Sequence, residues 1–168
     1  MTTTPTGRIQ PTPTGRDLIL TRTFRAPIDD VWASVTEPDR TARWYGPWTG
    51  EPGPGRNIKV QMLFEESQPW LEMHIVACNP PRHLSLTAVD EHGTWHLELE
   101  LTQQADTTEL RFTHHLAPDA DPASVGPGWE YYLDMLVASR TGAPLPDFAD
   151  YFPSMQPYYE QQTAAASE

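Results

Sequence analysis

Strict alternation of apolar and polar residues, repeated segment after segment, is what most limits the folds open to this chain. Trp95, Leu97, Leu99 and Leu101 alternate with His96, Glu98 and Glu100. Successive side chains on a strand point to opposite faces, so this segment is a strand with one buried and one wet face. The period recurs. Leu110, Phe112, His114 and Leu116 alternate with Arg111, Thr113 and His115. Leu84, Leu86 and Ala88 alternate with His83, Ser85 and Thr87. Ile58, Val60, Met62 and Phe64 alternate with Asn57, Lys59 and Gln61. In residues 17–25, DLILTRTFR, the residues Leu18, Leu20, Arg22 and Phe24 share a face, and the GRIQ segment before them reads as a hairpin arm. Gly53-Pro54-Gly55, Asn79-Pro80-Pro81 and Glu91-His92-Gly93 supply turns between the segments. Strands joined in succession by short turns predict an antiparallel meander.

A sheet with one apolar face needs a cover. Trp129, Tyr132, Leu133, Leu136 and Val137 follow a helical period, with Asp121-Pro122 as a start signal and Gly142 as a stop. Gly126-Pro127-Gly128 is expected to bend or restart that helix. Ile28, Val31, Trp32 and Val35 mark a short helix, and residues 38–44 a second one, ended by Gly46-Pro47. The whole reads as an α+β fold. A curved antiparallel sheet of about six to seven strands surrounds a long C-terminal helix, with two short helices after the first strand. A strongly curved sheet around one helix is expected to leave a pocket between them.

Composition removes several functions. Asp and Glu number 23 against 11 Lys and Arg, a formal charge of -12, which repels phosphate backbones and anionic lipid surfaces. The expectation is no nucleic acid and no membrane insertion, because no apolar run approaches the roughly 18 residues of a span. The MTTTPTGR start lacks a secretory apolar stretch, so a cytoplasmic location is expected by default. Cys78 is the single cysteine and reads as a buried, inert thiol. Zinc, phosphate-loop, dinucleotide and serine-elbow patterns are missing. Six histidines occur, at 74, 83, 92, 96, 114 and 115, none paired at helical metal spacing. His115 faces away from His114, so that pair cannot chelate one ion. No metal and no cofactor is expected.

The candidate site starts from ARWYGPW, residues 42–48, which packs three rings around a Gly-Pro break. Trp44 and Trp48 are read partly as packing and partly as the rim of the pocket. Met62, Phe64, Met73, Trp95 and Phe112 lie on strand faces read as inward, and Trp129, Tyr132, Leu133 and Leu136 on the helix stripe. His114 is the odd polar residue on an apolar face: either a satisfied core histidine or a pocket acid–base group. The phase of residues 70–78 stays open. Leu71, Met73, Ile75 and Ala77 form the purer face; with the other face inward, Glu72 and His74 become a carboxylate and an imidazole suited to acid–base work.

Residues 22–48, RTFRAPIDDVWASVTEPDRTARWYGPW, the turn CNPPRHLSLT and the helix GPGWEYYLDMLVASRTG resemble the SRPBCC/START superfamily of START domains, polyketide cyclases and the birch-pollen allergen. The likeness is greatest to the branch named after the activator of the heat-shock-protein ATPase. The resemblance implies a helix-grip fold with an apolar cavity over residues 17–142. Residues 1–16 are then an N-terminal extension or hairpin arm. Residues 143–168 are an aromatic extension ending in a disordered tail. The function expected is non-enzymatic binding of a small apolar or aromatic molecule. Two alternatives stay open: a cyclase- or hydrolase-like enzyme using the cavity His or Glu, and a homodimeric or chaperone-cofactor module built on the aromatic tail.

Overall fold

Among the described residues, the alternating segments pair into one antiparallel sheet of eight strands, in the order β1-β2-β8-β7-β6-β5-β4-β3. They are β1 (Arg8–Thr12), β2 (Gly15–Phe24), β3 (Trp48–Thr49), β4 (Asn57–Gln61), β5 (Trp70–Asn79), β6 (His83–Asp90), β7 (Gly93–Gln104) and β8 (Thr107–Leu116). The computed structural model describes residues 4–90 and 93–166. The Glu91-His92 turn expected from the sequence lies outside them. The sheet is curved and unclosed. One strand more than expected arises because Trp48–Thr49, read from sequence as helix exit and loop, pairs with Val60 and Lys59 of β4.

Among the described residues, four α-helices accompany the sheet: α1 (Ile28–Thr36), α2 (Pro38–Thr41), α3 (Pro122–Thr141) and α4 (Gln156–Ala166), with a 3-10 turn at Phe148–Asp150. Helix α2 is shorter than expected, because after Thr41 the amides of Trp44, Tyr45 and Gly46 all turn back to the Thr41 carbonyl. Helix α3 starts where Asp121 accepts from the Ala123 amide and stops at Gly142, whose φ of 73° is in the left-handed region. It passes through Pro127 without restarting. Proline there supplies no amide for the carbonyl four residues back, on Ala123. The Gln156 side-chain amide of α4 donates to that carbonyl instead, at 3.5 Å.

The core lies between the concave sheet face and α3. Leu18, Leu20, Leu110, Phe112, Leu133 and Leu136 are all buried in it. Helix α3 is also pinned by charge. Arg22 of β2 reaches Glu130 and Asp134, each at 3.1 Å, and Arg140 reaches Asp30 of α1 at 2.7 Å.

The C-terminal segment departs from the sequence reading. Residues 161–166, read as part of a disordered tail, continue α4. The physical reason is upstream. Tyr151, Met155 and Tyr159 are fully buried, and the Tyr159 ring lies where a Cβ on Gly7 or Gly126 would collide with it. Two glycines, on the N-terminal arm and on α3, thus make the slot that holds α4 down.

Candidate functional site

A cavity of about 140 Å³ opens between the sheet, α3 and the segment from α1 to β3. The strands supply Ile58 and Val60, Met73 and Ile75, Leu84 and Leu86, Leu97 and Leu99, and Phe112. Helix α3 supplies Trp129 and Leu133; the α1–β3 segment supplies Val35, Trp44, Tyr45 and Trp48.

The ARWYGPW stretch gives this wall its form. Trp44 Nε1 donates to the Ser34 carbonyl at 2.9 Å, and Trp48 Nε1 to the Thr36 carbonyl at 2.8 Å. Both carbonyls are among the last of α1, which have no partner inside the helix. Each indole therefore caps α1 with its polar atom and turns carbon toward the cavity. Thr41 is spent likewise, its hydroxyl donating to the Gly46 carbonyl at 2.7 Å. Gly46 itself has no room for a side chain, since a Cβ there would meet the Gln61 carbonyl at the end of β4. The Gly-Pro break is a close approach of two backbones.

Of the residues expected in the site, Trp44, Trp48, Met73, Phe112, Trp129 and Leu133 line the cavity. Met62, Phe64, Trp95, His114, Tyr132 and Leu136 are not among its lining residues. Met62 and Phe64 follow the end of β4 at Gln61, where the chain enters a turn and the Met62 amide donates to the Pro69 carbonyl. Leu136 is wholly enclosed in the core. Trp95 stacks on His114, centroids 5.0 Å apart. The Tyr132 hydroxyl is buried without a well-formed hydrogen bond; burial, with the nearby Glu65 carboxylate, pushes its pKa up.

His114 is a satisfied core residue. Trp129 Nε1 donates to its Nδ1 at 3.1 Å, which fixes the remaining proton on Nε2. Burial, aided by His115 and His96, lowers its pKa to about 4, so the ring is neutral at pH 7.

The phase of β5 is settled by burial: Met73 and Ile75 are buried, Glu72 and His74 exposed. Glu72 sits opposite Lys59, and His74 Nδ1 is 2.7 Å from Asn57 Oδ1. The acid–base alternative for this pair therefore has no access to the cavity. Replacing Glu72 with alanine should change stability by no more than about 0.5 kcal/mol in a chemical-denaturation titration, as expected for an exposed side chain.

Cys78, read from sequence as a buried, inert thiol, was not expected among the cavity residues; it is half-buried. Strict alternation puts it with Trp70 and His74 on the outer face, but the register shifts between Ile75 and Ala77. The bulge turns Cys78 inward, opposite Leu84, where it lines the cavity. Burial raises its thiol pKa, so the reactive thiolate is scarce. Val35 and Tyr45 were likewise not expected in the site, nor were Ile58, Val60, Ile75, Leu84, Leu86, Leu97 and Leu99, although the alternation places these strand residues on the inward face.

Residues 25–139 match the family model described as activator of Hsp90 ATPase homolog 1-like protein. No curated protein sequence matches the chain significantly. Among solved structures, CalU16 from Micromonospora echinospora is 26% identical, with TM-score 0.67, over 98% of this chain and 95% of that one. The protein encoded by gene BPP1335 from Bordetella parapertussis is 24% identical, with TM-score 0.73, over 94% and 91%. DynU16, from the dynemicin biosynthetic locus, is 21% identical, with TM-score 0.66, over 79% of this chain and 50% of that one. The last two likenesses speak for the fold alone.

Proposed function

Because the chain belongs to the family of activator of Hsp90 ATPase homolog 1-like proteins, we propose that its cavity binds one small apolar or aromatic molecule without converting it. The supporting observation is the lining. The indole N–H groups of Trp44 and Trp48 are spent on α1, and the remaining wall is almost wholly carbon. Water needs two to four polar partners to reside in such a space. An apolar cavity of roughly 150 Å³ stays dry and accepts a single aromatic ring, close to the 140 Å³ here. Left empty, that volume costs on the order of 3 kcal/mol at about 24 cal/mol per Å³, and an occupant recovers part of it. Against conversion stands the position of the acid–base candidates: Glu72 and His74 face solvent, and His114 Nδ1 is taken by Trp129.

Thermal denaturation with toluene, indole or naphthalene, each near saturation, tests the reading. At a hundredfold excess over Kd a ligand adds about 2.7 kcal/mol, which raises Tm by about 5 °C or more for a chain of this size. Alkylation of Cys78 by iodoacetamide should slow when the cavity is occupied. Leu86→Phe, which grows a ring into the void, should leave the fold intact and abolish both effects. If no compound moves Tm or protects Cys78, the binding reading is wrong.

A further inference from the structure

The wet face of the sheet carries a second constellation, back to back with the Trp95–His114–Trp129 group. His96 and Glu98 are neighbours on the outer face of β7, and His115 stands beside them on β8. His115 Nε2 lies 3.3 Å from Glu98 Oε1, and His96 Nε2 lies 3.9 Å from the same oxygen. One ligand atom from each of these three residues falls within 4.8 Å of the others. The two imidazole rings are 4.5 Å apart, centroid to centroid.

We infer that His96, Glu98 and His115 form a binding site for a first-row divalent transition metal such as zinc, on the face of the sheet opposite the cavity. Two imidazoles and one carboxylate are the donors such ions prefer. Zinc bonds of about 2.0–2.2 Å put tetrahedral ligands about 3.3 Å apart, so small rotations of His96 complete the set. Two features separate this cluster from an ordinary charged surface. His115 Nε2 is buried yet makes no hydrogen bond of good geometry, only an ion-pair approach to Glu98 Oε1 at 3.3 Å, so it is aimed into the cluster. Behind it, His115 Nδ1 is held by Asp17 Oδ1 of β2 at 2.8 Å, directly across the ladder. A carboxylate on the far nitrogen fixes the tautomer that leaves Nε2 free to coordinate, and it raises ligand basicity. Asp17 is thus a positioning residue. Ser85 Oγ lies 3.2 Å from His96 Nε2, a hydrogen bond that the ring exchanges for the metal when it turns. Three protein ligands leave a coordination position for water or a small anion. A chain of formal charge -12 also concentrates cations at its surface.

The test is calorimetric titration of the full chain, without a histidine tag and stripped by chelator, with ZnCl2. Co2+ serves as a parallel absorbance probe. One equivalent per chain is expected, with a visible Co2+ band of imidazole–carboxylate coordination. His96→Ala/His115→Ala should weaken binding a hundredfold or more. Asp17→Asn should weaken it roughly tenfold, shift the Co2+ band and keep the stoichiometry at one. His74→Ala, on an outer position of β5, should change nothing. If the double variant loses its circular-dichroism spectrum, Glu98→Gln provides the same comparison. Absence of stoichiometric zinc uptake overturns the site, and so does uptake undiminished by a folded double variant or by Glu98→Gln.

Discussion

Replacing Glu130 with alanine is expected to cost about 3–5 kcal/mol of folding free energy, seen as a fall in Tm of about 10 °C. Glu130 is 1% exposed, a carboxylate on α3 in the heart of the molecule. Its Oε2 accepts from the amides of Thr6 and Gly7 and from the Tyr159 hydroxyl; its Oε1 accepts from the Thr6 hydroxyl and from Arg22. Three separate segments, the N-terminal arm, β2 and α4, thus meet on one side chain of α3. Alanine strands those donors, and the buried Gly7 amide and Tyr159 hydroxyl have no water to replace the loss. Arg22 suffers less, since Asp134 still pairs with it at 3.1 Å. Glutamine should recover only part of the loss: wherever its NH2 group points, it faces donors. Acid acts on the same knot. Burial alone would raise the Glu130 pKa, but hydrogen bonds from Tyr159, Gly7 and Thr6 outweigh it and leave the pKa below the usual 4.5. The unfolded chain therefore takes up this proton first as pH falls. The contribution is complete above about pH 4.5, declines below it, and is gone once pH has passed the folded-state value. Urea titrations from pH 7 down to pH 3 should show wild type losing this increment in the acid range and Glu130→Gln losing less.

Glu130 also marks where sequence reading ends. In WEYYLDML it occupies an ordinary helix position between aromatic residues, and nothing local distinguishes it from a solvated glutamate. Its partners lie at residues 6, 7, 22 and 159, most of them more than a hundred positions away. The sheet, by contrast, was legible because period two is a local consequence of pleating: β7 and β8 read directly as alternation, and so did the inward faces of the cavity. Cys78 was legible as a buried thiol, but its place in the cavity was hidden by a bulge, which changes phase without altering composition. Met62 and Phe64 kept an apolar rhythm after the strand had ended. The His96–Glu98–His115 group escaped because histidines were sought at helical spacing, whereas these meet across a strand ladder. ARWYGPW was legible as part packing and part pocket rim, and Trp44 and Trp48 do line the cavity; that their indoles cap α1 required knowing which carbonyls they face.

Trp129 couples the fold to the site, and its replacement should show both roles. Its ring contacts Phe112 at 4.5 Å and reaches Tyr132, Trp95 and His114 at 6.1, 6.4 and 6.0 Å between centroids. Trp129→Ala should cost about 3–5 kcal/mol, the usual penalty for removing a large buried ring. It should also widen the cavity, so that compounds larger than one ring give a greater thermal shift than in wild type. Trp129→Phe isolates the polar role. Contact with Phe112 is largely kept, but His114 Nδ1 loses its donor in a dry surrounding, at about 1–3 kcal/mol. Removing both partners is far less damaging than removing one. Trp129→Phe/His114→Leu should therefore be more stable than the sum of the two single changes predicts, by about 1 kcal/mol or more in a double-mutant cycle. The cycle also has a pH signature. With a folded pKa of about 4 against an ordinary 6.5, His114 binds its proton more readily in the unfolded chain. Its neutral state costs the fold stability progressively as pH falls from 6.5 toward 4, a window above that of Glu130. His114→Leu should flatten the stability profile in that upper window alone. A profile unchanged there would mean that burial does not hold His114 neutral in the fold; strict additivity in the cycle would mean that the Trp129–His114 hydrogen bond carries no weight.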